Sequence, residues 1–353
     1  VPDDKFKGII NMITYDAMRA GAPRLDHNYV THDGFTVDSA GAFLVHELER
    51  LDPTLHMPLA SVTWGRDVDL REDVTIADDA ASYTNSTFAA PGGITPAGIN
   101  WGGKNTTTIA GIAVDIRKTS QPLLLWEMEV KYSIPELEAA IKVGRPVDTQ
   151  KIEGLNLKHQ MDIDQVVYVG DPAVNFVGLF NSPQVTATTA ANTGSGGLTT
   201  WASKTPAQIL ADVNTLLQNT WAASGYAVIP DKILLPPAAY GLLLSQTVSA
   251  AGNISTLKFL EENNLTNQRG GTLEIQPVKW AIGMGVGGTP QVLGTVDRAI
   301  AYSMDPLRLR YPMTPLQKTP IQYVGIYHTA TFYCRLGQME FVYPETMAYL
   351  DGV

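Results

Sequence analysis

Between Asp164 and Val185 two short apolar runs flank Gly170-Asp171-Pro172, and the second closes on Gly178-Leu179-Phe180-Asn181. Short apolar runs bounded by turn residues predict two strands around a tight reversal. The stretch follows a long helix-like segment and precedes a region of alternating strand and helix patterns, so it marks a junction between two structural parts. A chain of 353 residues with 44% hydrophobic side chains also exceeds what one core usually serves, which predicts two domains.

Before the junction, Phe43, Leu44, Leu48 and Leu51 fall at helical spacing after Asp38 and Ser39 and before Asp52-Pro53. A helix so short cannot bury its stripe alone, so it must pack on the main body or on a neighbouring subunit. From Leu59 to Lys131 the period becomes two: Val68, Leu70, Val74 and Ile76 lead out, and Ile112, Val114, Ile116, then Leu124, Trp126, Met128 and Val130 lead back. Between them Asp78 to Asn105 has no period and is too long for a hairpin turn. Such a tip makes sense on a projecting hairpin that rests on another subunit. Ser133-Ile134-Pro135-Glu136 is a capping box that starts a helix. Gly144 and Pro146 interrupt it before Ile152, Leu155 and Met161 resume the stripe.

After the junction, Thr186 to Trp201 reads as linker, and Thr205-Pro206 opens a helix through Leu217. Strands are expected at Ile229–Leu235, Leu273–Ile282 and Gln291–Ser303, with helices from Pro236 to Leu244 and from Ile254 to Asn263. Strands alternating with helices make an α/β unit. From Leu307 to Val353 antiparallel strands return: Ile321 and Tyr323, then Thr329 to Leu336, a turn at Gly337, and Met339 to Val342.

Charge and cysteine usage exclude several classes. The balance of 25 basic and 35 acidic residues gives a net charge of -10, which disfavours sequence-independent DNA binding, since that needs clustered Lys and Arg. Only 17% of residues are charged, and Gly, Thr, Asn and Ala fill the polar gaps, leaving uncharged surface fit to lie against other subunits. The single cysteine, Cys334, cannot form an internal disulfide and sits in a strand-like run, which predicts a buried, inert thiol. No run of about 18 apolar residues is present, and the amino end lacks the layout of a secretory signal. The expected site of action is therefore the compartment of synthesis, with no membrane partner.

Motifs of chemistry fail on context. Gly98 to Asn105 nearly spells a phosphate-binding loop, but Asn105 replaces the Ser or Thr that holds magnesium, and a Thr-rich strand follows rather than a helix. Gly283 to Gly288 matches a dinucleotide fingerprint, yet Thr289-Pro290 follows, so no helix N-terminus faces a pyrophosphate. The six histidines, His27, His32, His46, His56, His159 and His328, show no paired ligand spacing. Asp67, Asp69, Glu72, Asp73, Asp78 and Asp79 are acidic enough for a cation, but Arg66 and Arg71 interleave with them as on a solvated strand face. No nucleophile elbow exists, and the Asn-x-Ser/Thr sequons at Asn85, Asn105, Asn253 and Asn264 count only in a secreted protein. Catalytic, metal and cofactor-binding residues are all expected to be absent.

The junction motif resembles a signature of tailed-phage major capsid proteins of the HK97 fold, in which a Gly-Asp turn and a Gly-Leu-Phe/Leu-Asn element follow a spine helix. Tyr132-Ser133-Ile134-Pro135-Glu136-Leu137, the Gly144-Arg145-Pro146 break, and the ends Arg335-Leu336-Gly337, Tyr343-Pro344 and Leu350-Asp351-Gly352-Val353 are similar to one subgroup of that family. The resemblance implies an α+β chain divided into an N-terminal arm (1–57), an E-loop hairpin (58–122), a P-domain with the long spine helix (123–185), an inserted α/β A-domain (186–305) and a C-terminal return to the P-domain (306–353). It further implies no enzymatic activity and self-assembly through pentamers and hexamers into an icosahedral shell around double-stranded DNA. Arm and E-loop would clamp neighbours, with hinges near Trp64-Gly65 and Pro122. Portal, scaffold and cement proteins would be partners. Some members cross-link an E-loop Lys to a neighbour's Asn; Lys104 lies near the tip, but no local feature marks the Asn, and no cross-link is expected. Competing readings are an encapsulin-type cargo shell and a secreted β-rich glycan-binding or hydrolytic protein.

Overall fold

The computed structural model describes residues 58–89, 111–143, 147–248 and 254–353. The arm helix expected at Phe43 to Leu51 and the Gly98 to Asn105 loop lie outside them. A single helical turn, α1 (Trp64–Asp67), and a short strand, β1 (Asp69–Arg71), open the described chain. Two ten-residue strands follow, β2 (Ala80–Ala89) and β3 (Ala113–Pro122), paired antiparallel from Ala80↔Pro122 to Ala89↔Ala113. The outgoing strand is thus later than the sequence predicts. Val74 and Ile76 precede it in a loop, and the expected irregular tip begins as strand. Alternation marks a strand only where one face meets a core. β3 has no such face: every position but Gln121 is exposed, Ile116 and Val114 included.

β4 (Leu124–Ser133) leaves the hairpin and leads into α2 (Ile134–Val143). The capping box forms as predicted: Glu136 N donates to Ser133 Oγ at 3.2 Å and Ser133 N donates to Glu136 Oε2 at 3.5 Å. The expected break at Gly144-Arg145-Pro146 lies outside the described residues; the 22 residues of α3 (Val147–Tyr168) span about 33 Å.

The run Val166 to Tyr168, expected as strand, is the last turn of α3. Short apolar runs do not separate buried helix from strand. Here Ile163 and Val167, four apart, are both fully buried. The junction motif then satisfies the helix end, whose last carbonyls have no intrahelical donors. Leu179 N donates to Val167 O at 2.8 Å, Phe180 N to Tyr168 O at 2.9 Å, and Asn181 Nδ2 to Val169 O at 2.6 Å. Gly170 takes φ 78°, and a Cβ there would stand 2.2 Å from Phe176 O; one on Gly178 would stand 2.4 Å from the Tyr168 carbonyl carbon. Only glycine fits either place.

The remaining elements are β5 (Thr186–Thr189), α4 (Pro206–Ala223), β6 (Lys232–Leu235), α5 (Pro237–Ser245), α6 (Thr256–Asn263), α7 (Leu265–Gln268) and β7 (Glu274–Pro277), then β8 (Arg298–Tyr302), β9 (Leu309–Pro312), β10 (Gln317–Lys318), β11 (Gln322–Val324), β12 (Tyr327–Leu336), β13 (Glu340–Phe341) and β14 (Met347–Asp351). The strands expected at Leu273–Ile282 and Gln291–Ser303 are real but shorter, and the glycines between them form turns.

In a five-stranded mixed sheet, ordered β5-β14-β8-β6-β7, the three inner strands β14, β8 and β6 are buried on both faces. Leu234, Ile300, Tyr302, Met347 and Tyr349 face Ile163, Val167 and Phe180 in one core, while Ile233, Leu235, Ala299, Ala301, Ala348 and Leu350 face Ile209, Val213, Leu216 and Leu217 of α4 in the other. Period-two side chains thus supply both cores from single strands. The sequence reading kept 306–353 together with the earlier antiparallel strands. Instead the structure sends β14 to the middle of this sheet, because Met347 to Asp351 is buried at every position and fits only where both faces are covered. β13 likewise joins β9 rather than folding back on β12.

β12 pairs along its full length with β4, and on its other edge with β11 and then β10. α3 covers one face through Leu155 and Ile152 against Val130, Ala330 and Phe332. β1, β9 and β13 form a small third sheet.

Candidate assembly surfaces

The hairpin β2–β3 carries its exposed strand on a neck that is tightly held. Arg335 of β12 donates to Ile76 O at 2.8 Å and to Leu123 O at 3.1 Å, one carbonyl on each side of the neck, and its guanidinium meets Asp79 at 2.8 Å. Leu123 is buried with Val74 and Ala81 beneath it. Glu340, fully buried, accepts from Arg71 at 2.7 Å and Arg310 at 2.6 Å, and Tyr83 OH donates to Phe341 O at 3.1 Å.

Two buried carboxylates fix the chain before the neck. Asp164 of α3 accepts from Thr63 N at 2.8 Å and Trp64 N at 3.1 Å through one oxygen, and from Trp280 Nε1 at 2.5 Å through the other. Trp64 Nε1 adds a bond to Gln160 at 3.0 Å. Asp67 meets Arg66 at 2.7 Å and Lys232 at 3.1 Å and also accepts from Tyr168 OH. Burial, with the Asp67 carboxylate beside it, pushes the Tyr168 phenol well above its ordinary range and keeps it a donor. The expected hinge at Trp64-Gly65 is therefore the most firmly tied part of the root.

The acidic residues read as one solvated face are dispersed. Asp67 is buried in the root, Asp73 pairs with Arg71, which lowers its pKa, Asp79 pairs with Arg335, and Asp78 accepts from Thr75 N and Oγ1, which holds its carboxyl below the usual range. Among the described residues, no group of three or more His, Cys, Asp or Glu could hold a metal ion. His159 Nε2 lies 3.2 Å from Cys334 Sγ with its ring edge-on to Trp126, and burial lowers its pKa. Cys334 is the buried thiol its strand context predicts, its pKa pushed up to about 12 by burial. The Gly283 to Gly288 loop is a turn, with Gly283 at φ 68° and its N donating to Asp297 Oδ1 at 2.8 Å. His328 packs edge-on to Tyr323. The Asp67 and Asp164 clusters were invisible in sequence, since all their partners but Arg66 lie about a hundred residues or more away.

A second apolar surface gathers at the turn between β11 and β12. Ile321, Tyr323, Val324, Ile326 and Tyr327 are all exposed around Gly325, and Ile134 N binds Ile326 O at 3.0 Å, bringing exposed Ile134 alongside. Contiguous exposed apolar residues of this kind mark contact surfaces.

A mixed helix-and-sheet body with one long helix and a projecting, uncovered hairpin defines an HK97-like capsid fold. The chain is similar to the capsid protein of Myoviridae phage XM1, with a TM-score of 0.69 at 19% identity over 87% of this chain and 98% of that one. It is also similar to a structure of Mycobacterium phage Ogopogo, with a TM-score of 0.54 at 12% identity over 90% and 99%. An encapsulin complex from Synechococcus elongatus matches with a TM-score of 0.50 at 13% identity over 88% and 95%. No curated protein matches the sequence. The family model of the major capsid protein matches residues 98–353, and the chain belongs to that family. It is a structural shell protein, not an enzyme.

Proposed function

We propose that the protein assembles through pentamers and hexamers of itself into an icosahedral virion shell that encloses double-stranded DNA without reading its sequence. One observation carries this reading: β3 exposes nine of its ten residues on a two-stranded hairpin, and such a hairpin is marginal in water without cover. A neighbouring subunit supplies that cover. Residues 58–122 act as the E-loop and 1–57 as an arm reaching across the contact; the body, 123–185 with 306–353, is the P-domain, and 186–305, joined by β14, is the A-domain. The net charge of -10 suits a wall that must not adhere to packed DNA. Head-to-tail contacts of this kind close into rings when the rotation permits. Assembly in the host cytoplasm, with a portal and with scaffold or cement proteins, completes the proposal.

Electron microscopy of particles from the native source tests it. Closed icosahedral shells containing nucleic acid are expected. Shells filled with a protein cargo would establish the encapsulin-type reading instead, and dispersed monomers under assembling conditions would contradict both.

A further inference from the structure

β4 has one free edge. In an antiparallel ladder, backbone groups of successive residues point alternately toward and away from the partner strand. Ile134 N, just past β4, points inward to Ile326 O, whereas Lys131 O accepts from Lys151 Nζ at 2.9 Å and Ser133 N turns to Glu136. The even positions of β4 therefore face β12 and the odd ones face outward. Among the described residues no strand pairs along that outer edge, so the amide groups of Leu125, Glu127 and Glu129 present an open run. The side chains of all three are exposed. An open edge of this kind is a template for an added strand.

A second β4 laid antiparallel and centred on Met128 would set Glu127 against Glu129 of the other copy, and directly opposed like charges are unfavourable. The amino-terminal run Asp3-Asp4-Lys5-Phe6-Lys7-Gly8-Ile9 fits instead. Laid antiparallel with Lys7 opposite Glu127, it sets Lys5 opposite Glu129, Ile9 opposite Leu125 and Asp3 opposite Lys131. On the other face the same register sets Phe6 opposite Met128 and Gly8 opposite the bulky Trp126. At the odd positions every charged pair is then of opposite sign and Ile9 meets Leu125, while on the other face Asp4 falls opposite Val130. Pro2, which cannot donate, falls just before the strand's first residue, Asp3, so no ladder bond is asked of it.

We propose that residues 3–9 of one subunit add an antiparallel strand to the β4 edge of a second copy, with Lys7 opposite Glu127. The inference rests on the shell reading and supplies it with a register. Opposed residues of a hydrogen-bonded pair lie about 5.5 Å apart at Cα, inside the roughly 4.4–6.8 Å that a disulfide spans. The test is full-length protein carrying Lys7→Cys and Glu127→Cys, purified as particles and oxidised; buried Cys334 stays silent. Covalent multimers on a denaturing gel are expected, and their loss when Asn11→Cys replaces Lys7→Cys. Lys7→Glu should lower particle yield, and Lys7→Glu with Glu127→Lys should restore it. Particles without cross-links above the Asn11→Cys control, links confined to single chains, or capture of a different protein by Glu127→Cys would overturn the strand exchange while leaving the shell reading intact. Absence of closed particles from the unsubstituted protein would overturn both.

Discussion

The five-stranded sheet and the β2–β3 hairpin are built from the same kind of strand and meet opposite fates. Every residue of β6, β8 and β14 is buried, so each side chain is fixed by contacts within its own subunit. The hairpin has a ten-pair ladder yet leaves β3 open to solvent. Burial makes a strand stable alone, whereas a bare ladder makes it available. A shell subunit needs both, one to keep its shape and the other to be completed by neighbours. The carboxylates at Asp67, Asp164 and Glu340 stand at the boundary and hold the available part on the stable one.

Breaking that boundary should cost most. Asp67→Ala leaves Lys232 buried and Arg66 unmatched, and removing one partner of a buried pair costs about 3–5 kcal/mol, read as a lowered urea midpoint of the isolated subunit. Arg335→Met frees the carbonyls of Ile76 and Leu123 from their donor, at about 1–3 kcal/mol. Its mark should be faster hydrogen exchange confined to the neck and hairpin, with the five-stranded sheet unchanged; uniform acceleration would mean that the neck is not a separate unit. Ile116→Ala sharpens the comparison from the other side. As an exposed substitution it should change subunit stability by less than about 0.5 kcal/mol while lowering particle yield. The smallest effect is chemical: Cys334, with its pKa pushed up to about 12, should stay unalkylated at pH 8 in the folded subunit and react only on unfolding.

Much of this was legible in sequence where the signal was local. The Ser133-Glu136 capping box, the helix after Thr205-Pro206 and the glycines of the junction motif each act within a few residues and behave as expected. The family resemblance rested on the same local motifs. Two errors share a cause, for hydrophobic pattern does not settle the state of Val166 to Tyr168 or of Ala80 to Ala89. The first run is apolar all round and carries no period; the second lacks a core face to impose one. The place of β14 was hidden because nothing in Met347 to Asp351 names its partners. Asp67 looked like surface because it lies among arginines, and Lys232 and Tyr168, which bury its charge, are reached only through the tertiary fold.

Hydrogen exchange on dissociated subunits and on assembled particles compares the two regions directly. The account predicts that the five-stranded sheet is protected in both states, whereas the amides of β2 and β3 exchange quickly in the subunit and become protected in the particle. Equal exchange of the hairpin in the two states would contradict the claim that a neighbour completes it.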